Sequence, residues 1–332
     1  MTFHMPPEWA PQDWLWIGFP HDGEEWPGYL ARAQEQIAAF ANAVAESGQE
    51  VRLLVRDEAN EARASELVSE AVRLERRTYG DIWLRDTGPL VLTDGHTRIG
   101  QRFGFNGWGG KYEMPGDTTI GTEIARDAGL PVKTADWILE GGAIDGDGTG
   151  LVATTEQCLL NPNRNPKLTR SDIENRLKAD LGFDRVLWLG DGLINDHTDG
   201  HVDNLARFVG PNTLAVPMAT GPDDPNAAIY ADAEARILDA GLTLHKIRPH
   251  IKGEFDDTAL MKAFGQQGVG IFPAPEVIAE EICQQNAVEK VAVCSEIKCR
   301  YYAISAQRKL SHPAVLAISE SAQNTLFKKK TD

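Results

Sequence analysis

The stretch Val44-Ala45-Glu46-Ser47-Gly48-Gln49-Glu50-Val51-Arg52-Leu53-Leu54-Val55 decides the fold class. Ahead of it, Leu30, Ile37, Phe40, Ala41 and Val44 fall on one helical stripe. Gly48 can adopt the left-handed conformation that closes a helix. Val51 to Val55 then reads as a buried strand. Working outward, the alternation continues: a helix over Asn60 to Arg73 and a strand over Asp81 to Leu84. Further strands are expected over Arg98 to Phe105, Gly150 to Thr155, Arg185 to Leu189, His201 to Phe208 and Thr213 to Val216. Thr169 with Asp172 marks a helix start, with Ile173 and Leu177 on one face. Short strands with interspersed helices give an α/β class. No internal repeat stands out.

The chain has 332 residues, 42% of them hydrophobic, enough for a sizeable core. No apolar run is long enough to cross a bilayer. The start, Met-Thr-Phe-His-Met-Pro-Pro, lacks the pattern of a signal peptide. Cys158, Cys283, Cys294 and Cys299 show neither metal nor disulfide spacing, so a cytoplasmic setting is expected. The net charge of −16 opposes nucleic acid and anionic membranes as partners and suits a cationic small molecule. It serves solubility equally well. Self-association into a homo-oligomer is left open.

Four glycine-rich segments gather chemistry where strands end. In Gly80 to Pro89, Arg85 and Asp86 leave the end of the expected strand. The carboxylate could accept two parallel N–H bonds from a guanidinium, or the two could form an ordinary ion pair. In Phe105 to Gly110, Trp108 could wall a flat cation or only pack in a turn. In Leu139-Glu140-Gly141-Gly142, the carboxylate could orient a histidine, although an exposed turn suits Glu-Gly-Gly better. The most informative segment is Asp199-Gly200-His201-Val202-Asp203-Asn204. On an extended strand His201 and Asp203 share a face, which suits proton shuttling beside a cation. A structural His–Asp pair and a metal site built on His197, His201 and nearby aspartates are the rivals. Cys158 opens the turn-rich loop to Pro166 and reads as buried and inert.

Taken together, these segments resemble the agmatine deiminases and the related bacterial peptidylarginine deiminases. The matching stretches are Met5 to Pro11, Gly80 to Pro89, Phe105 to Gly110, Glu140 to Asp147, Thr154 to Pro166 and Asp199 to Phe208, in family order. The resemblance implies a pentein-type propeller of ββαβ modules around a polar cavity. It implies that Asp86 and Asp203 clamp the two edges of the guanidinium; Trp108, from its own segment, is a further candidate substrate contact. Glu140 would hold His201, the general acid and base. A cysteine thiolate would attack the guanidinium carbon, giving ammonia and a ureido product such as N-carbamoylputrescine, with no metal or cofactor.

The family places that cysteine near the C-terminus, in a segment resembling Gly-Gly-Gly-Asn-Ile-His-Cys. The chain has no such segment, so its closing module is missing from the pattern. Ten Lys and Arg and ten Asp and Glu follow His250, so the entire negative balance lies in residues 1–250, as do all eight tryptophans. From about Gly253 the chain instead resembles the effector-binding domain of a LysR-type activator of the sodium/proton antiporter kind. Phe255-Asp256-Asp257, Met261 to Pro275, Tyr302-Ala303-Ile304-Ser305 and His312 to Phe327 carry that likeness. The expected division is a deiminase-like part over 1–252 and an α/β regulator-like segment over 253–332. Within it Cys294 and Cys299 could stand in as nucleophile.

Overall fold

The structure is a computed structural model that describes residues 3–221, 224–247 and 283. The expected α/β class holds in this part. A first sheet is wholly parallel: β1 (Trp14–Gly18), β2 (Glu50–Val55) and β3 (Val72–Arg76), linked by helices Leu30–Glu46 and Glu58–Leu67. Gly48 follows the first helix at φ +93°, where a side chain would be strained. The second helix is shorter than expected. Asp57 caps its start by accepting from the Asn60 amide at 2.9 Å, and β3 takes up the residues after it. In the first helix Ile37, Ala41 and Val44 of the expected stripe pack on the core with Ala38, whereas Phe40 is 52% exposed.

The other three sheets share one topology. Antiparallel β4 (Leu90–Thr93) and β5 (Arg98–Gly104) lead through helix Ile120–Asp127 to β6 (Val132–Ile138), parallel to β5. β7 (Ile144–Gly146), β8 (Leu151–Thr155), helix Arg170–Leu181 and β9 (Arg185–Leu189) repeat it. β10 (Arg207–Gly210), β11 (Thr213–Pro217), helix Ala227–Asp239 and β12 (Thr243–Ile247) repeat it again. A structural repeat therefore exists where none is visible in the residues: the hairpin, crossover and strand recur while their side chains have diverged. Helix Arg170–Leu181 begins at the expected Thr169–Asp172 capping box and ends at Gly182, φ +80°. Separate apolar clusters fill the layers. One includes Leu92, Trp137, Ile144 and Leu177; another includes Leu187, Leu205, Leu214 and Ile237; a third includes Phe19, Ala41, Leu53 and Val72.

One expected strand is absent and another forms only at its end. At Asp81 to Leu84 the Asp117 carboxylate takes the Gly80 and Asp81 amides at 2.8 and 3.2 Å, so those donors are lost to any ladder. A helical turn, Leu84–Thr87, follows. At His201 to Phe208 the backbone makes a helical turn, Val202–Leu205, and only Arg207–Gly210 is strand. Asp196 prepares that turn by accepting from the His201 amide at 3.1 Å. The regulator-like tail, Cys294, Cys299 and the boundary at residue 252 lie outside the described residues.

Candidate active site

Trp108 sits in the segment Gly107–Gly110, whose φ angles run +66°, +52°, +83° and +82°. Four successive residues are thus left-handed, a conformation that costs a non-glycine residue about 1–2 kcal/mol. This explains three glycines around one tryptophan. The turn closes through Gly110 N–H to the Asn106 carbonyl at 2.7 Å and Lys111 N–H to that of Gly107 at 2.9 Å. It presents the edge of the buried indole: Nε1–H donates to Asp86 Oδ2 at 3.0 Å. Asp86 itself stands on the helical turn after Trp83, and its Oδ1 accepts from the Gly142 amide at 2.8 Å. Arg85 points elsewhere, pairing with Glu8, so the two neighbours form no ion pair.

Gly142 marks the centre. A Cβ on it would lie 2.6 Å from His201 Nδ1, 2.7 Å from Asp203 Oδ2 and 2.8 Å from Asp86 Oδ1. The structure therefore brings Asp86, His201 and Asp203 to one point. The reason differs from the expected strand alternation: His201 precedes the turn Val202–Leu205 and Asp203 lies inside it. His201 Nδ1 stands 3.7 Å from Asp86 Oδ1. Burial raises the Asp86 carboxyl above its ordinary value, against the bonds from Trp108 and Gly142. Burial and then the charge of Asp86 raise Asp203. Burial lowers His201, opposed by the charges of Glu140, Asp203 and Asp196.

Behind the imidazole, Glu140 is fully buried at the end of β6, not on an exposed turn. Its Oε1 accepts from Arg164 Nε–H at 3.0 Å, with both side chains sealed from solvent. Its Oε2 and His201 Nε2 are buried without a hydrogen-bond partner. A Glu140 oxygen, a His201 ring nitrogen and the Cys158 sulfur all lie within 4.8 Å of one another. Three such donors match a metal set by type, but the Arg164 cation bonded to Glu140 opposes a second cation there. His197 is no part of this group; its Nδ1 lies 2.8 Å from the Tyr112 hydroxyl. Cys158 is as inert as expected: burial, and next the charge of Glu140, push its thiol well up.

Sequence reasoning passed over Arg164, Asn163 and Lys111. Arg164 donates to Glu140, Asp199, Asn163 Oδ1 at 3.0 Å and the Thr198 carbonyl at 2.7 Å. Lys111 pairs with Asp199 and donates to the His197 carbonyl at 2.9 Å. The available signal was an arginine set inside a rigid Asn-Pro loop, Asn161 to Pro166.

Comparison with known proteins fits this geometry. The family profile of the Porphyromonas-type peptidyl-arginine deiminases matches residues 4–248. The agmatine deiminase of Ectopseudomonas mendocina is 38% identical over 72% of this chain and 66% of its own. That of Stutzerimonas stutzeri is 38% identical over 74% and 70%. The chain thus spans about two thirds of the length of these curated relatives. Among solved structures, the Enterococcus faecalis agmatine deiminase superposes with a TM-score of 0.71 at 30% identity, covering 75% of this chain and 72% of that one. The C. jejuni agmatine deiminase with substrate bound gives 0.69 at 29% identity and 74% coverage of both. The chain belongs to the Porphyromonas-type peptidyl-arginine deiminase family.

Proposed function

We propose that the site binds the guanidinium of agmatine between Asp86 and Asp203 and that the protein is a deiminase, a hydrolase acting on C–N bonds of a linear amidine. One observation supports this reading above others. Two desolvated carboxylates converge with an imidazole, and no lysine or arginine among the described residues pairs with either. A planar guanidinium offers parallel N–H donors on two edges and the charge that both carboxylates lack. A peptidyl-arginine side chain carries the same group and is the competing substrate.

Clamping on two edges fixes the central carbon for attack. A thiolate sulfur bonds to that carbon. The C–N bond then breaks as His201 delivers a proton, and ammonia leaves. Water adds to the sulfur-bound carbon and gives a proton to His201. The C–S bond breaks, releasing the ureido product and restoring the thiolate. Cys158 is the wrong thiol for this role, being sealed and hard to ionise. Cys294 or Cys299 is the proposed substitute. The same observation favours a second reading, a cation-binding or regulatory protein without turnover. In keeping with the sequence, the four sheets would be modules of a pentein-type propeller, residues 253–332 a regulator-like segment, and the cytosol the setting. Among the described residues no helix is long and apolar enough to cross a membrane.

Calorimetry with agmatine tests binding. Saturable binding that Asp203→Ala abolishes supports the site, and no binding to the unaltered chain overturns it. Colorimetric detection of ureido product, lost in Cys294→Ala or Cys299→Ala, decides for turnover; none at all decides for the second reading.

A further inference from the structure

We propose that Arg164 is a positioning residue, the strut that fixes Glu140 and the loop before His201 so that the second Glu140 oxygen is left for the imidazole. Its place in the catalytic cycle rests on the deiminase reading; its effect on His201 does not. A guanidinium sealed from solvent is costly unless all its donors are used. Here Nε serves Glu140, Nη1 serves Asp199 and Asn163, and Nη2 serves the Thr198 carbonyl. One side chain thereby joins three segments that are far apart in sequence: the end of β6, the Asn-Pro loop and the loop that delivers His201. Two residues of that last loop, Asp199 at φ +62° and Gly200 at φ +87°, are left-handed, and Asp199 is strained unless held. The same Asn-Pro loop also supports Trp108. Asn106 donates to the Asn163 carbonyl at 2.8 Å, and a Cβ on Gly109 would lie 2.3 Å from Asn163 Nδ2.

The pattern of used and unused oxygens gives the strut its consequence. Glu140 spends Oε1 on Arg164, while Oε2 and His201 Nε2 remain buried and unpartnered. The groups acting on the imidazole are Glu140, Asp203, Asp196, Asp86, Arg164 and the neighbouring Cys158 thiol. Four of these are carboxylates, and Arg164 is the cation that balances Glu140. A lysine keeps the charge but not the fork, so it can serve Glu140 or the Thr198–Asp199 loop but not both.

The test is the NMR titration of His201 in the full chain, assigned through His201→Gln, with agmatine calorimetry alongside. Arg164→Lys is expected to fold, to shift the His201 midpoint upward by about 0.5–1 pH unit, and to weaken agmatine binding at least threefold. Asp199→Asn removes one arm from a part-exposed position. It leaves more of the Arg164 charge uncompensated and should give a smaller shift of the opposite sign, downward, which keeps the idea testable if Arg164→Lys misfolds. Midpoints within 0.1 unit of the unaltered protein in folded variants would overturn the proposal. Failure of the unaltered chain to bind agmatine would sink the deiminase reading and leave the titration result standing.

Discussion

At the deep end of the site, Glu140 and Arg164 are both sealed from solvent and bonded to each other. At the other end, Asp86 and Asp203 are largely buried, converge on Gly142, and pair with no lysine or arginine among the described residues. Both ends hold desolvated charge, yet only at the first is the carboxylate bonded to an arginine; Arg85, Arg164 and Arg207 act on Asp86 and Asp203 from a distance. A buried pair that is satisfied internally holds a fold in shape; a buried like-charged pair is a cost that a ligand can relieve. On the proposed deiminase reading, the first end is framework and the second is the binding surface.

Breaking the balanced end should have the largest effect. Glu140→Ala leaves the Arg164 guanidinium without its carboxylate in a sealed place, at a cost of about 3–5 kcal/mol. Denaturant unfolding measures this. A loss below about 1 kcal/mol would mean that Asp199 and Thr198 satisfy Arg164 alone, and the contrast between the two ends would fail. At the unbalanced end the sign of the stability change reverses. Asp203→Asn should lower agmatine affinity about 100-fold by calorimetry. In the same variant the unliganded protein should melt higher, because desolvation and repulsion by Asp86 both disappear. A lower melting temperature would make Asp203 a structural residue.

Much of this was legible in the sequence, though not always for the stated reason. Asp86, Trp108, Glu140, His201 and Asp203 do gather, as the ordered motifs implied. The α/β class followed from periodicity, and Arg185–Leu189 is strand over the same residues that the sequence suggested. What failed was local geometry decided by distant side chains. Asp117 removes the Gly80 and Asp81 amides from any strand from 36 residues or more away, and no window around Ile82 contains it. Arg164 was passed over for a similar reason. Its partners Glu140 and Asp199 are 24 and 35 residues distant, so its neighbours in sequence show only a stiff turn. Phe40 fits a helical stripe by spacing, but the small Ala38 and Ala41 let the helix settle closely on its sheet with Phe40 outside.

Gly142→Ala sharpens the comparison by steric means. Gly142 is not among the positive-φ glycines, so the backbone tolerates alanine, but the methyl meets Asp86, His201 and Asp203 at once. Agmatine affinity should fall about tenfold or more, with stability lowered by about 1–3 kcal/mol. Binding of unchanged strength would show that the ligand does not use the space bounded by these atoms.

The pH dependence follows from the raised carboxyls of Asp86 and Asp203. A carboxyl raised in the folded state binds more protons there than in the unfolded chain between the two values. Its contribution to stability therefore falls as pH rises from the ordinary value of 3.8 through the raised one. A guanidinium ligand prefers the ionised pair and reverses that loss. The rise in melting temperature on adding agmatine should accordingly be larger at pH 8 than at pH 5. An equal rise at both would mean that the ligand does not engage these carboxylates.

The smallest effect expected is at Trp108, where the two ends meet. Its indole N–H helps to hold Asp86, while Asn106 and Gly109 in its left-handed turn rest on Asn163. Trp108→Phe keeps an aromatic ring and the strained backbone but removes the donor to Asp86 Oδ2. One charge-assisted hydrogen bond is worth about 1.5 kcal/mol, partly replaced by the ligand's own N–H groups. Agmatine affinity should therefore drop no more than about fivefold, with the His201 titration unmoved because Glu140 and Arg164 stay in place. A shift of that titration would mean that the turn and the Arg164 strut act as one unit, and the separation between a balanced framework and an unbalanced binding surface would have to be given up.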